Sequence, residues 1–323
     1  MSVKIKIGSG AAREVEDLRF INGVGINFSG SAGVSTDDLD LTVGIAWPGT
    51  AFYVDGTNGL DANGGTSWTD AKKTIQAAVG LCTTNKYDIV YVTAGTYAEN
   101  VTVTSKHNIR FVGLVSGANS KRVAIAPASG IALTIAQSNR LAFHGFRFVG
   151  TSGVGVKSDG ESAYFGNCDF TSDTSHGIEF LGATDTDYTG SGTTFNNCLF
   201  RECGGAGIRL SKGTGAVLGL QATNVNVWGS QFYLNTGDDI DDDAGTGSPT
   251  YFYQWEISGN KFLTRNKAVY LDMDGGVSAE CLISNNWFAN DGAALTATQI
   301  ALATGAVFAG NFDANGVRDG SAL

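Results

Sequence analysis

The strongest constraint on this chain is a short motif that keeps returning along its C-terminal two thirds. Asn167-Cys168-Asp169-Phe170 recurs as Asn197-Cys198-Leu199-Phe200, then as Ser230-Gln231-Phe232, Asn260-Lys261-Phe262, Asn286-Trp287-Phe288 and Gly310-Asn311-Phe312. Asn108-Ile109-Arg110-Phe111 and Phe143-His144-Gly145-Phe146-Arg147-Phe148 are looser, earlier versions. Between them stand Gly130-Ile131-Ala132-Leu133, Gly177-Ile178-Glu179-Phe180, Gly207-Ile208-Arg209-Leu210 and Ala268-Val269-Tyr270-Leu271, so two kinds of strand alternate. One repeat of roughly twenty to thirty residues cannot bury its own inward side chains, whereas stacked repeats close a shared interior. Asn suits the turn because it tolerates a left-handed backbone and its amide can bond the Asn above and below. The expected fold is an all-β, single-stranded right-handed parallel β-helix. Its ladder is Asn167, Phe170, Asn197, Phe200, Phe232, Asn260, Phe262, Asn286, Phe288, Asn311 and Phe312.

Composition agrees with this reading. The 323 residues include 45 Gly but only 3 Pro, with 16% charged residues, which favours strands and turns over helices. A net charge of −10 and no cluster of Lys and Arg argue against nucleic acid as a partner. Five cysteines are scattered without metal-type spacing and read as free, buried and structural, with Cys168 and Cys198 one coil apart at the same position. Eighteen apolar residues nowhere run together, and the first ten residues carry Lys4 and Lys6 but no apolar stretch. The expectation is a soluble protein with no membrane insertion and no secretion signal, made in a reducing cytoplasm.

Three regions are expected. Residues 1–47 hold short alternating runs joined by Gly and Ser turns, too few apolar residues for a core, and read as a β-rich attachment arm with Phe20, Ile26, Phe28, Leu39, Leu41 and Val43 as its contacts. Residues 48–104 open the solenoid with the strand at Phe52-Tyr53-Val54 and a helix from about Asp70, capped by Ser67 or Thr69. That helix places Ala71, Ile75, Ala78, Val79 and Cys82 on one face. A lone amphipathic helix before a long all-β stretch suits a lid over the open end of a solenoid. Residues 105–323 are the coils.

Tyr53-Val54-Asp55, Gly65-Thr66-Ser67, Lys73-Thr74-Ile75-Gln76-Ala77-Ala78, Asp88-Ile89-Val90-Tyr91-Val92 and Gly95-Thr96-Tyr97-Ala98-Glu99 together resemble the opening of pectate-lyase-like β-helix proteins. The resemblance covers about fifty residues. It implies the fold; polysaccharide lyases, esterases, bacteriophage tailspikes and non-enzymatic virion proteins share this opening.

Asp238-Asp239-Ile240-Asp241-Asp242-Asp243 is the one dense carboxylate cluster. Paired carboxylates can cleave a glycosidic bond as acid and base, which makes Asp238 and Asp239 the catalytic candidates. Gly237-Asp238-Asp239 resembles the aspartate pair of polygalacturonases and Ser175-His176-Gly177 their His-Gly motif, but His176 precedes the pair here, the reverse of that family's order. Asp239, Asp241 and Asp243 have alternate spacing and are candidates for calcium, although Ala244 and Thr250 replace the Gly and closing Glu of an EF-hand loop. The competing reading is a solvated acidic loop. Lyases of this fold need a base beside calcium-binding acids; Arg209 with Lys212 offers one, and Glu179 one coil earlier can pair with Arg209. Trp228, Tyr251, Phe252, Tyr253, Trp255 and Trp287 are candidates for sugar stacking, for a subunit interface or for the core.

Phe20-Ile21-Asn22-Gly23-Val24-Gly25-Ile26-Asn27-Phe28-Ser29-Gly30 followed by Leu39-Asp40-Leu41-Thr42-Val43 is similar to short β modules that precede fibre and spike domains of bacteriophage virion proteins. With about eleven residues after Phe312, a capsid decoration protein or head spike fits better than a long tailspike. The expected function is a non-enzymatic virion surface protein that forms a homotrimer, needs no cofactor and binds a major capsid or other virion protein, with a host glycan as a further partner. A polysaccharide lyase or glycosidase, or an adhesin without turnover, is the alternative.

Overall fold

Each coil turns through three strands, and like strands of successive coils pair in parallel to build three sheets. The computed structural model describes residues 3–5, 13–15, 26–28, 41–43, 49–114, 122–182, 189–212, 221–242, 251–265, 267–273, 280–290, 294–302, 305–313 and 316–318. Sheet I has eight strands, from Val101–Thr104 to Ile300–Leu302. Sheet II has ten, from Ala51–Val54 to Val307–Ala309. Sheet III has ten, from Gly95–Tyr97 to Gly316–Arg318, the last of which runs antiparallel to Asn311–Asp313. The all-β parallel β-helix is thus the observed fold. Among the described residues no helix is long and apolar enough to cross a membrane.

The chain divides into two units, Met1–Pro48 and Gly49–Leu323. In the first, Val3–Ile5 pairs antiparallel with Arg13–Val15, and Ile26–Phe28 with Leu41–Val43. The second pairing sets Ile26 against Val43 and Phe28 against Leu41. Phe20 and Leu39 lie outside the described residues.

The interior is filled by two phenyl stacks rather than one. On sheet III, Phe148, Phe170, Phe200, Phe232, Phe262 and Phe288 lie ring over ring, with centroids 4.7 Å apart at Phe170–Phe200 and 4.6 Å at Phe262–Phe288. On sheet II, Phe111, Phe143, Phe165 and Phe195 form a second stack that crosses the first edge to face. The strand repeat of ~4.8 Å sets the spacing, and stacked rings at that distance add attraction beyond the area they bury.

The Asn positions divide into two classes. Asn167 and Asn197 have φ of 52° and 53° and occupy the exposed turn between sheets II and III, where Gly229, Gly259, Asn285 and Gly310 stand in later coils. Asn260, Asn286 and Asn311 sit one residue later, buried, in the column that Cys168, Cys198 and Ser230 fill above them. Ladder bonds run through this inner column: Asn260 N–H and its side-chain amide both donate to Asn286 Oδ1, and Asn286 does the same to Asn311 Oδ1. Phe312 also departs from the expected ladder. It pairs with Trp287, so it points outward, and Asp313 takes the inward place and accepts Leu295 N–H. All five cysteines are buried and none is in a disulfide.

The capping helix α1 (Ile75–Leu81) begins later than its sequence signals imply. Residues before it are drawn into extended backbone: Lys72 N–H donates to Tyr53 O, and the Asp61 carboxylate accepts from Lys73 N and Thr74 N. Only Trp68–Asp70 forms a short 3-10 turn after Ser67, and Thr74 is the true cap, accepting from Ala77 N. Ile75, Ala78, Val79 and Cys82 cover the core as expected. Glu99 accepts from Ile75 N and Gln76 N at the helix start, and the Gln76 amide bonds both the N–H and the C=O of Thr102, the first-coil edge of sheet I. The helix therefore closes an otherwise open strand edge with one side chain.

Candidate functional site

Over the middle coils of sheet I one outward column is charged, because parallel pairing sets Lys157 beside Glu179, Glu179 beside Arg209 and Arg209 beside Asp241. Ile240 pairs with Leu271, which brings Asp272 beside Asp241. Asp238 enters from the turn that leads into the strand Ile240–Asp242. Asp238, Asp241 and Asp272 each offer one carboxylate oxygen, all within 4.8 Å of one another, and all three residues are half-buried. Arg209 Nη1 donates to Asp241 Oδ2 at 2.9 Å while its Nε donates to Ser211 Oγ, which fixes the guanidinium over the cluster. Parallel strands align like positions, so residues some thirty apart in sequence become neighbours here.

Burial pushes the Asp241 carboxyl up to about 7, against the pull of Arg209, with Asp238, Asp272 and Asp242 adding repulsion. Asp238 is raised as well, again first by burial. Since the folded protein then holds a proton on Asp241 that the unfolded chain has released, stability from this group is complete below the unfolded carboxylate range. It is lost as pH rises towards about 7. Asp241→Asn should remove that loss, raising stability at pH 8 relative to the parent by on the order of 2 kcal/mol and leaving it little changed at pH 4. Urea titrations at the two pH values check it; equal parent and variant stabilities at pH 8 would contradict it.

The sequence candidates sort differently from their order in the chain. Asp239 is fully buried, its Oδ1 accepting from Lys267 Nζ at 2.6 Å and Asn235 Nδ2 at 2.9 Å, so it serves the interior and not the Asp238 pair expected for catalysis. The alternate trio also changes: Asp241 remains, Asp238 and Asp272 join it, Asp239 does not, and Asp243 lies outside the described residues. Three oxygen donors so placed suit a hard cation such as calcium. His176 Nδ1 accepts Ala206 N–H and His107 Nδ1 accepts Asn139 N–H, so these rings bind turns. The aromatic group splits: Phe252 and Trp255 are core, with Trp255 Nε1 donating to Ala222 O, while Trp228, Tyr253 and Trp287 are exposed. The side chains of Lys212 and Tyr251 lie outside the description.

Asp272 reads from the sequence as an outward carboxylate of a separate turn, Asp272-Met273-Asp274-Gly275-Gly276. It lies instead in the strand Leu271–Met273, and a slip in the repeat conceals its place beside Asp241. Ala268-Val269-Tyr270-Leu271 looks like a copy of Gly207-Ile208-Arg209-Leu210, yet Ile208 is continued by Ile240 and then Leu271. Gly130-Ile131-Ala132-Leu133 is displaced in the same way, since Leu133 aligns through Val156 with Ile178. A two-residue slip preserves the inward and outward alternation, so hydrophobic pattern alone cannot detect it.

The family model for the right-handed β-helix region matches residues 129–317, more than half of the chain. Among solved structures the chain is similar to pectate lyase Pel9A, at 15% identity and a TM-score of 0.50, over 84% of this chain and 81% of that one. It is also similar to the alginate lyase from Paenibacillus sp. str. FPU-7, at 13% identity and a TM-score of 0.50, over 76% and 93%. ORF18 of Geobacillus virus E2 aligns at 15% identity over 90% and 66%, but its TM-score of 0.36 is too low to argue from. At such identities the likeness to the two lyases is one of fold. No curated protein matches the chain by sequence.

Proposed function

The chain belongs to the right-handed β-helix family, and on that footing we propose that it is a polysaccharide-directed member displayed on a bacteriophage virion, most simply a capsid decoration protein or head spike. The glycan lies along the outer face of sheet I, and residues 1–47 hold the protein to a capsid or other virion protein. The observation that carries the glycan reading is the convergence of Arg209 with Asp238, Asp241 and Asp272 within the row that Lys157 and Glu179 continue. One charged side chain per coil, ~4.8 Å apart, gives a polymer parallel to the solenoid axis a polar contact at every step. Pectate lyase and alginate lyase, both polysaccharide lyases by name, support a carbohydrate ligand. The separate compact unit Met1–Pro48 supports the attachment role, as does its likeness to β modules of virion spikes.

Calcium, when bound by Asp238, Asp241 and Asp272, would supply positive charge for an acidic sugar. Arg209, held by Asp241 and Ser211, adds positive charge to the same face. Cleavage in addition to binding would fall to Asp241, which Arg209 holds at 2.9 Å and whose carboxyl burial pushes up to about 7 where no metal ion lies beside it.

The full-length protein should be retained by at least one acidic or capsular polysaccharide in a panel, and Arg209→Ala or Asp272→Asn should weaken retention about tenfold or more. Retention without shortening of the polymer supports display and binding; shortening that Asp241→Asn abolishes supports cleavage. No retention and no shortening with any polymer would sink both. A chain lacking residues 1–47 should keep its glycan binding and lose incorporation into particles; normal incorporation would refute the attachment role.

A further inference from the structure

The corner where sheet II turns into sheet III changes character over its last coils. In each coil one outward residue of sheet II and one of sheet III flank the turn. The pairs, in order, are Asn226 with Gln231, Glu256 with Lys261, Leu282 with Trp287, and Val307 with Phe312. The last four are exposed by 38%, 46%, 55% and 37%, respectively, although all are large and apolar. Between their two rows the position nearest the turn on sheet II is Trp228 in the first of these coils and small in the next three: Ser258, the buried Ser284 and Ala309. The corner thus carries two exposed apolar rows side by side, and one coil above stands a pair of opposite charges. Apolar residues that gather into one patch, instead of scattering, mark an interaction surface.

We propose that this corner is the contact between copies of this chain, set side by side with their solenoid axes parallel, sheet II of one against sheet III of the next. The charges identify the partner. Rotation about an axis parallel to the solenoid keeps each coil level with the same coil of its neighbour. Glu256 then meets Lys261 of the next copy, Leu282 and Val307 meet its Trp287 and Phe312, and Asn226 meets its Gln231. A contact between two different faces closes into a ring under such a rotation, and three copies around the corner make the smallest ring consistent with the homotrimer expected from the sequence. An antiparallel pair would instead carry Glu256 past the last coil, away from Lys261. The inference is independent of the glycan face, since it uses sheets II and III.

Sedimentation velocity of the full chain from about 1 to 100 µM tests it, a span that brackets ordinary protein association. The parent should sediment as a trimer. Glu256→Lys and Lys261→Glu, each alone, should weaken association about tenfold by placing like charges together, and the double reversal should restore it. Trp287→Glu should abolish it, with circular dichroism melting confirming that the solenoid is intact. A monomer throughout the range overturns the proposal. An oligomer indifferent to all these changes overturns it as well, and failure of the double reversal to rescue overturns the parallel arrangement.

Discussion

Asn286→Ala is expected to lower the stability of the solenoid by about 3–5 kcal/mol, near the top of what a single polar truncation does. Asn286 Oδ1 accepts from the Asn260 backbone and side chain at 2.9 and 3.0 Å, and its own amide donates to Ile257 O and Asn311 Oδ1 at 2.8 and 2.9 Å. The residue is fully buried, so alanine strands the Asn260 N–H and the Ile257 carbonyl where no water replaces the lost partner. The exposed turn residue provides the control. Asn197→Gly should cost little, because glycine accepts its φ of 53° without a Cβ penalty and the one side-chain bond lost, from Asn197 Nδ2 to Asn167 Oδ1, is exposed. Chemical denaturation of both variants checks the pair; comparable losses would mean that the two Asn classes are equivalent after all.

Lys267→Ala should cost a similar ~3–5 kcal/mol at neutral pH, since it leaves a buried carboxylate without its cation. Lys267 Nζ lies 2.6 Å from Asp239 Oδ1, with side-chain exposures of 6% and 0%. Burial already raises the Asp239 carboxyl against the pull of Lys267 and Asn235, so removing Lys267 raises it further. The folded variant would then hold a proton that the unfolded chain releases, and its deficit should shrink as pH falls towards the unfolded carboxylate range. Replacing both partners, as Lys267→Met with Asp239→Leu, should recover most of the loss, because an apolar pair has no charge to solvate. Melting curves at pH 5 and pH 8 decide the matter. A deficit that does not change with pH would show that the pair is not ionised.

Much of this architecture was legible in the primary structure. The Phe170 to Phe288 column, the helix face of Ile75, Ala78, Val79 and Cys82, and the stacking of Cys168 under Cys198 all follow from spacing. What escaped the reading escaped for physical reasons. The second phenyl stack is signalled by Phe165 and Phe195, each five residues before a Phe of the first stack, but later coils put Val227 and Ile257 at that position, so no Phe repeat continues along the chain. Adjacent Asn and Cys positions exchange roles between coils, so an Asn at one position means an outer turn and at the next an inner ladder. The helix start was masked by tertiary pairing of Lys72 with Tyr53, which overrides a good local cap. The site was legible as an acidic run but not as a constellation. Asp241 and Arg209 stand out in the sequence, yet Asp272 is their neighbour only through pairing that a two-residue slip conceals.

The coil-to-coil ladder also orders events in time. Bonds along the buried Asn column join residues 30, 26 and 25 apart, and each needs only the turn before it. A nascent chain emerging from the ribosome can therefore settle each new coil on a finished one, starting from the end that α1 has already sealed. Loop closure costs the same modest amount at every step, and no strand waits for a distant partner to be translated. Such a protein can assemble like masonry laid course upon course, and a fault in one rung would hold up the courses that follow it while sparing those already laid.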